Sequence, residues 1–541
     1  MDRSRELLEK AWEDVCRALL GDEIGGLEDF EKYLGRYAGG LSIKKSAISG
    51  KPVVFSPVKG MDDNAKYISN DENAEYHEMD KGTRLDINQV KDIDSILAAL
   101  REKFYYAGDV VLGNSSEIEL SDKCIDSSFV YKSRTVHEGS RFVAFSNQTR
   151  HTEYAFGISQ DVGSRFVIAG YYIYQLSRSM ENLNTFDSAD CYFTANLRSC
   201  SNCMFSFNLR NRHYGIGNLS LPKDKYLDLK DKLVGEIREM LKEKKTIPGI
   251  VDLIAAPGTA PKLKKNEPTL SNKPGVSKKG PSDELNSAFK DTCGILFGKK
   301  LAPLVAFEKW LSEHVDSVIP SKSAVSGKDI YLAAVPAFAA IKDNAVGLEE
   351  ALELGECSIS ESDLLDFDFS NAREKLKGVK YTTTEDVHGT NNFDIVECSN
   401  YGNNSSHAFR SSLAYVCRYV AYCYWPRNSE YVFGSQLLFH SKFCIKCHNS
   451  SKLNRCFEVD SSNTCSDCYF CHNCENLQEC MFCFNAKSLR YAVGNVEYPR
   501  EEYLALKKRL LAQIAETLER EKALGLSIYD VGAERGVRIG Y

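Results

Sequence analysis

The chain has 541 residues, a formal net charge of −7 and 19 cysteines, and 43% of its residues are hydrophobic. This length allows three or four domains. No stretch approaches the ~20 apolar residues of a membrane span, and the acidic balance disfavours a general nucleic-acid surface. The charged first ten residues form no apolar signal core. We therefore expect a soluble, cytoplasmic protein, in which cysteines are ordinarily reduced or bound to metal.

Residues 1–123 are predicted to form a helical and mixed segment. Apolar residues at helical spacing predict helices over 3–21 and 27–35, and a further helix is predicted over 92–104. A Ser-Gly turn predicts a short strand over 51–56. A solenoid is then predicted over 124–219, and a capping helix over 220–255 begins after Pro222.

Residues 256–282 are rich in Pro, Gly, Ser, Thr and Lys, and this composition predicts a flexible basic linker. Its charges sum to +5, which leaves about −12 for the rest of the chain. A solvated tether is the simpler interpretation, and the alternative is an arm that contacts phosphate or an acidic partner. The lysines that would make that contact are Lys262, Lys264, Lys265, Lys273, Lys278 and Lys279.

The same order of elements is predicted again after the linker. A helical and mixed segment covers 283–397, with helices over 284–297 and 301–315 and a strand over 328–335. A Cys-rich solenoid is predicted over 398–496, and a capping helix and tail over 497–541. The expected fold class is α+β, in which each copy joins helices to a narrow β-solenoid.

A constant offset of 277 residues relates the two parts of the chain. The run 190–193 (Asp-Cys-Tyr-Phe) recurs at 467–470, and the run 203–205 (Cys-Met-Phe) recurs at 480–482. Cys16 and Cys293 obey the same offset near the start of each part. Chance does not keep one offset over such separations, so we predict a tandem duplication. Because few contacts are expected to cross a flexible tether, we also expect the two copies to separate when the linker is cut.

Every cysteine after residue 400 lies on one register of three residues. Followed from Gly402 to Ala492, this register contains only Gly, Ser, Ala, Cys, Val, Leu and one Pro. A period of three fits neither the 3.6 residues of an α-helix turn nor the alternation of a strand. It predicts short bent strands stacked in rungs, with one inward residue in three.

Four Cys-x-x-Cys pairs in the second copy match the spacing of zinc ligands. Packing is the favoured interpretation, because the first copy has Thr194 and Leu197 where the second has Cys471 and Cys474. The alternative is a zinc or iron–sulfur site, or a redox role, confined to the second copy. Its candidate ligands are Cys465, Cys468, Cys471, Cys474, Cys480 and Cys483.

The C-terminal motifs resemble an uncharacterised family of cysteine-rich bacterial and archaeal repeat proteins. The resemblance runs from Asn428 through the Cys-x-x-Cys pairs to the Cys-Met-Phe-Cys run at 480–483, Tyr491, Asn495 and the Arg-Glu-Glu-Tyr run at 500–503. It implies a β-solenoid-like fold and no known activity. Many members carry zinc ribbons ahead of the solenoid. This chain has no Cys-x-x-Cys pair there, so a zinc role does not carry over.

Polar residues shared between the copies are the remaining functional candidates. No Ser/His/Asp or paired-carboxylate arrangement recurs, so no catalytic residue is predicted. Aromatic and arginine residues at outward positions are typical of interfaces. The partner-binding candidates are Arg150, Glu153 and Tyr154 with Arg427, Glu430 and Tyr431. We expect a non-enzymatic scaffold or protein-interaction protein built as an intramolecular pseudo-dimer. The alternatives are the metal or redox protein above, and a factor bound to a large ribonucleoprotein through its linker.

Overall fold

The computed structural model describes residues 3–73, 75–76, 92–261 and 280–532. We call residues 3–261 the first half and residues 280–532 the second half. All six linker lysines lie outside the described residues, so neither the predicted tether nor the alternative, contact with phosphate or an acidic partner, is tested. None of the described helices is both long and apolar enough to cross a membrane.

Both halves contain α-helices and β-strands, which confirms the predicted mixture of helices and strands in an α+β fold class. In the first half the α-helices are Arg3–Leu20, Glu31–Leu34, Ile93–Leu100, Lys223–Lys244 and Ile250–Ala255, and the 3-10 helices are Leu27–Phe30, Gly35–Tyr37 and Asn70–Glu72. In the second half the α-helices are Asp283–Phe297, Glu308–Leu311, Pro336–Ala340, Leu348–Leu354, Glu361–Leu365, Ala372–Lys375 and Arg500–Glu521, and the 3-10 helices are Leu304–Phe307 and Lys342–Asn344.

Each half contains a 14-stranded sheet, which we call the first ladder and the second ladder. The first comprises Val111–Leu112, Ser116–Glu119, Asp122–Ile125, Ser128–Tyr131, Arg134–His137, Arg141–Ala144, Asn147–Arg150, Glu153–Val162, Arg165–Tyr174, Ser177–Phe186, Ala189–Ala195, Ser201–Met204, His213–Ile216 and Leu219–Ser220. The second comprises Val387–His388, Phe393–Val396, Ser399–Gly402, Ser406–Phe409, Ser412–Ala421, Arg427–Phe433, Gln436–Phe439, Lys442–Ile445, His448–Ser451, Asn454–Asp460, Ser466–His472, Gln478–Met481, Arg490–Val493 and Val496–Glu497. Both ladders begin before the predicted solenoid boundaries of 124 and 398.

Neighbouring strands of a ladder are parallel over most of its length and usually pair residues twelve positions apart. Val167 pairs with Ser179, and Cys468 pairs with Cys480. Only the last strand of each ladder turns back as an antiparallel pair.

Corners in the left-handed conformation recur every third residue along both ladders. Asp467, Phe470 and Asn473, for example, have φ of 55°, 54° and 50°. Twelve residues therefore contain four corners before a strand meets its neighbour. A non-glycine residue in this conformation costs about 1 kcal/mol, so the stacked backbone hydrogen bonds must offset that strain at each corner.

The residue after each corner belongs to the interior of the ladder. In the second ladder this interior is one buried cluster in which cysteine predominates. Its side chains are neutral and small, so they fill a narrow space without unpaired charge. The first ladder instead divides its interior among three smaller apolar clusters, and polar residues such as Asp161 and Thr152 are buried there.

The long helix after each ladder packs along its half through one apolar face. Leu233, Ile237 and Leu241 are buried in the helix Lys223–Lys244, as are Leu510 and Ile514 in Arg500–Glu521. Leu227 of the helix Lys223–Lys244 does not belong to this face, because it is 37% exposed. Tyr226, one residue earlier, is buried in its place.

Two segments cross to the opposite half. We call residues 42–73 and 92–110 the first arm, and residues 318–386 the second arm. Each arm contains an antiparallel strand pair, Ser42–Lys45 with Pro52–Phe55 and Val318–Lys322 with Asp329–Ala333. The first arm also contains the parallel pair Tyr67–Ser69 and Tyr106–Gly108.

The first arm packs on the second ladder. Phe104 lies 4.6 Å from Phe484 between ring centroids, and the backbone amide of Ala107 donates to Nε2 of His472 at 3.1 Å. The Tyr106 hydroxyl donates to the carbonyl oxygen of Ile528 at 2.9 Å. These aromatic residues share one buried cluster with the second half's helices.

The second arm packs reciprocally on the first ladder. The side-chain amides of Asn184 and Asn208 donate to the carbonyl oxygens of Thr383 and Tyr381 at 3.0 and 2.8 Å. Many contacts therefore cross between the halves. The expectation that few contacts connect the copies is wrong, because each half buries its arm against the other half's ladder.

Candidate functional site

A groove of about 1500 Å³ runs between the two ladders. We call it the inter-half groove. One wall comes from the start of the first ladder as far as Arg150 and from the first arm, at Asn70, Asp71, Asn73 and Val110. The other wall comes from the second ladder, between Trp425 and Asn495. Because the ladders lie against each other through crossed arms, residues distant in sequence meet across this groove.

Arg427 and Arg150, which occupy equivalent positions in the two halves, both line the groove. The Arg427 guanidinium lies over the rings of Trp425 and Tyr415, at 5.2 and 5.3 Å from their centroids. Burial lowers the pKa of Arg427, and the charge of Arg150 adds to that effect. The two candidate arginines are therefore close enough to interact electrostatically.

The positive charge of Arg150 is compensated by a carboxylate of its own half. Its Nε donates to Oε2 of Glu138 at 3.0 Å. Burial acts to raise the pKa of Glu138, but the hydrogen bonds and charge of Arg150 lower it below its ordinary value. Burial lowers the pKa of the neighbouring His137 to about 4, so this imidazole is neutral at pH 7 and adds no charge to the groove.

A buried polar cluster joins the halves beside the groove. The hydroxyls of Tyr415 and Tyr172 donate to Oδ2 of Asp386 at 3.0 and 3.2 Å, and His388 contacts the same oxygen at 2.6 Å. Arg198 Nη2 donates to Oδ1 at 3.2 Å. Burial acts to raise the pKa of Asp386, but the His388 hydrogen bond and the Arg198 charge lower it. A charged carboxylate thus holds side chains of both ladders together.

The other four partner-binding candidates lie outside the groove. Tyr154 stacks between Phe142 and Phe166, at 4.9 and 4.8 Å between centroids. Tyr431 stacks in the same way between Tyr419 and Phe443, at 4.8 and 4.7 Å. We call these rows the first and second aromatic rows.

Charged pairs flank the two aromatic rows. Glu430 pairs with Lys442 at 3.0 Å, and Glu153 pairs with Arg165. Both rows are partly exposed. The structure therefore separates the six candidates into an arginine pair in the groove and two glutamate–tyrosine pairs on outer faces.

The six candidate metal ligands are buried in the interior of the second ladder. Their thiols donate to backbone carbonyls, as Cys471 does to Tyr469 at 3.5 Å. Burial raises the pKa of Cys417 and Cys423, which lie four rungs earlier in the same interior, to about 12. Within the described ranges, no group of three or more His, Cys, Asp or Glu side chains has the arrangement of a metal site.

Several residues that connect elements within each half were not predicted from the sequence. Glu181 and Glu458, related by the same offset of 277, are both fully buried and accept from the backbone amides of Ile250 and Ile528 at 2.8 and 2.9 Å. Burial raises the pKa of Glu458 to about 7, although Lys446 lies 3.2 Å away. The sequence signal that could have identified this pair is the identity of two acidic residues at the offset of 277. Asp109 and Asp386 also obey it, in a region where the copies otherwise drift.

Neither a protein-family model, nor a curated protein, nor a solved structure matches this chain.

Proposed function

We propose that the chain is a non-enzymatic scaffold in which two duplicated halves, each a narrow solenoid, form an intramolecular pseudo-dimer that binds a protein partner. The observation that carries this proposal is the reciprocal exchange of the arms. Each arm contributes buried aromatic or amide contacts to the opposite ladder. These contacts fix the orientation of one ladder relative to the other. A fixed pair of similar faces suits a partner with two-fold symmetry.

The two aromatic rows are the proposed contact surfaces. They occupy equivalent positions, since Phe142, Tyr154 and Phe166 lie 277 residues before Tyr419, Tyr431 and Phe443. Arginines lie over both rows, Arg141 over Phe142 at 4.8 Å and Arg418 over Tyr419 at 4.9 Å. Partly exposed aromatic and arginine side chains are typical anchors of protein interfaces. Stacking also stabilises the ladder itself, so the test must separate binding from stability.

The test compares truncation of one aromatic row with truncation of both. A partner cross-linked to the wild-type chain is identified by mass spectrometry, purified, and titrated against Tyr154→Ala, Tyr431→Ala and the double variant. If one partner engages both rows, the double variant loses far more affinity than the single variants, because the two contacts act as linked sites. Val416→Ala is the control, since Val416 is an exposed apolar residue of the second ladder outside the row. Unchanged partner affinity in a folded double variant contradicts the proposal.

Before that experiment, a protease site inserted within residues 262–279 tests the pseudo-dimer. We expect the two cleaved halves to remain associated during size-exclusion chromatography, because both arms stay buried in the opposite half. Two separately eluting halves would contradict the proposed pseudo-dimer.

A further inference from the structure

Arg427 is a partly buried cation that contacts aromatic rings but no carboxylate of the described residues. Its Nε is shielded from solvent and has no hydrogen-bond acceptor, and no carboxylate among the described residues forms an ion pair with it. A buried guanidinium is expensive to desolvate, so native structures normally provide an anion or several acceptors. The equivalent Arg150 has such a partner in Glu138. The position equivalent to Glu138 in the second half is Tyr415, which provides a ring face instead of a carboxylate.

A second unpaired donor lies beside Arg427. The indole Nε1 of Trp425 is buried without a hydrogen-bond partner, and Trp425 is 4% exposed. Across the groove, Oε1 of Gln148 is also buried and unpaired. Trp425, Arg427 and Gln148 all line the inter-half groove. Indole N–H and guanidinium groups are donors only, so together they provide the chemistry of an oxyanion site.

The remaining charges in the groove limit how much negative charge a ligand can carry. Lys487 pairs with Glu475 at 2.9 Å, and Arg150 pairs with Glu138. Among the described cations that line the groove, those without an ion-pair partner are Lys123 of the first ladder and Arg427 and Lys452 of the second. A polyanion such as a nucleic-acid strand would also face the groove's carboxylates, so one anionic group suits this balance better.

Beyond the charged residues, the groove wall combines neutral polar side chains with apolar surface, which forms the larger part of the wall. Ser451 and Asn463 follow each other at adjacent rungs of the second ladder, and Asn428 lines the same region. Amide and hydroxyl groups both donate and accept, which matches the hydroxyl groups of a sugar. Phe439 and Trp425 add apolar ring surface, as binding pockets for polar molecules commonly do.

We infer that the inter-half groove binds a polyhydroxylated small molecule that carries one oxyanion, a sugar phosphate or a sugar acid, with the oxyanion held at Arg427. The guanidinium group matches the geometry of both phosphate and carboxylate. Arg427 would therefore hold a sugar phosphate and a sugar acid by the same kind of contact. This site is separate from the aromatic rows proposed to bind a protein partner.

Isothermal titration of the full chain with glucose 6-phosphate, glucuronate, glucose and inorganic phosphate tests the inference. We expect glucose 6-phosphate or glucuronate to bind more tightly than both glucose and inorganic phosphate. Arg427→Gln should weaken that binding by at least about tenfold, because a charge-assisted contact is lost. Arg418→Gln is the matched control: Arg418 is an exposed arginine of the same ladder that lies over Tyr419, outside the groove. It should leave affinity unchanged.

A second variant tests the place of binding without altering Arg427. Ser451→Tyr with Asn463→Phe introduces the residues that the first half has at equivalent positions, Tyr174 and Phe186, and should fill the groove without changing its charge. We expect this folded variant to lose binding of the same probe. Failure of wild-type protein to bind any probe, or equal binding by Arg427→Gln, overturns the inference. Tighter, steeply salt-dependent binding of a single-stranded oligonucleotide would also overturn it. None of these results depends on partner capture by the aromatic rows.

Discussion

The two flanks of the contact between the ladders differ, although similar sequences form them. On one flank the inter-half groove is open. On the other, Arg198 lies 3.8 Å above the Phe186 ring, and Phe186 stacks on His388. Arg198 also donates to Asp386 of the second arm. Large side chains of the first ladder thus occupy the space that remains empty beside the second ladder.

Equivalent positions explain this difference. The first half has Tyr174, Phe186, Arg198 and Arg210 in one column of its ladder, and the second half has Ser451, Asn463, Glu475 and Lys487 in the same column. Both columns have the same spacing of twelve residues between strands, but the first-half column carries aromatic and arginine side chains that contact the second half. Two halves with the same strand spacing can therefore differ, with a cleft on one flank while the other flank stabilises the contact.

The largest expected effect comes from opening the closed flank. Phe186→Asn with Arg198→Glu copies the second half's residues and places a carboxylate beside the buried Asp386. Loss of a buried ion-pair partner costs about 3–5 kcal/mol, so we expect the free energy of unfolding in urea to fall by about 5 kcal/mol. The converse pair, Asn463→Phe with Glu475→Arg, should change it by only about 1 kcal/mol, because Glu475 and Lys487 are exposed. Equal costs for both pairs would show that the two flanks contribute alike.

The interiors of the ladders give the second prediction, which concerns pH. Asp161 lies inside the first ladder, where Thr152 and Ser164 donate to it at 2.7 and 2.6 Å. Burial raises its pKa to about 7, whereas the equivalent Leu438 is uncharged. Because the folded pKa lies above the unfolded value, the stabilising contribution is complete below about pH 4. It is lost as pH rises through 7.

Asp161→Asn should remove this part of the pH dependence. We expect the unfolding free energy of the variant, relative to wild type, to rise by on the order of 3 kcal/mol between pH 4 and pH 7.5. Chemical denaturation at several pH values measures the difference. Asp187→Asn, at an exposed position of the same ladder, is the control. Parallel pH profiles for Asp161→Asn and wild type would contradict the shifted pKa of Asp161.

Local elements were predictable because their signals lie within short stretches of sequence. Helical spacing located the helices Arg3–Leu20, Asp283–Phe297 and Ile93–Leu100 to within a few residues. The register of three placed the cysteines in a buried interior. Asn218 and Asn495, which obey the same offset, each exchange two hydrogen bonds with the backbone of the residue eleven positions earlier, Phe207 and Phe484.

Long-range features were not predictable from one sequence. The left-handed corners fall on residues such as Phe470 and Tyr431, whose side chains ordinarily avoid that conformation. No local sequence pattern indicates that the arms cross, because Phe104 could be buried equally well against either ladder. The groove depends on which side chains face each other across the halves. Arg150 and Arg427 were therefore predicted as candidate binding residues, but their position in one groove was not predicted.

The smallest expected effect concerns the interior of the second ladder. Cys471→Thr with Cys474→Leu introduces Thr194 and Leu197 of the first half, both of which are fully buried there. If the thiols serve as small packing groups, each exchange costs about 1 kcal/mol, as conservative core substitutions do. Urea denaturation should show this modest loss in a folded protein, and elemental analysis should find the same metal content before and after substitution. Stoichiometric zinc or iron that disappears from the variant would instead establish that the cysteines bind metal, and the two interiors would then differ in chemistry as well as in packing.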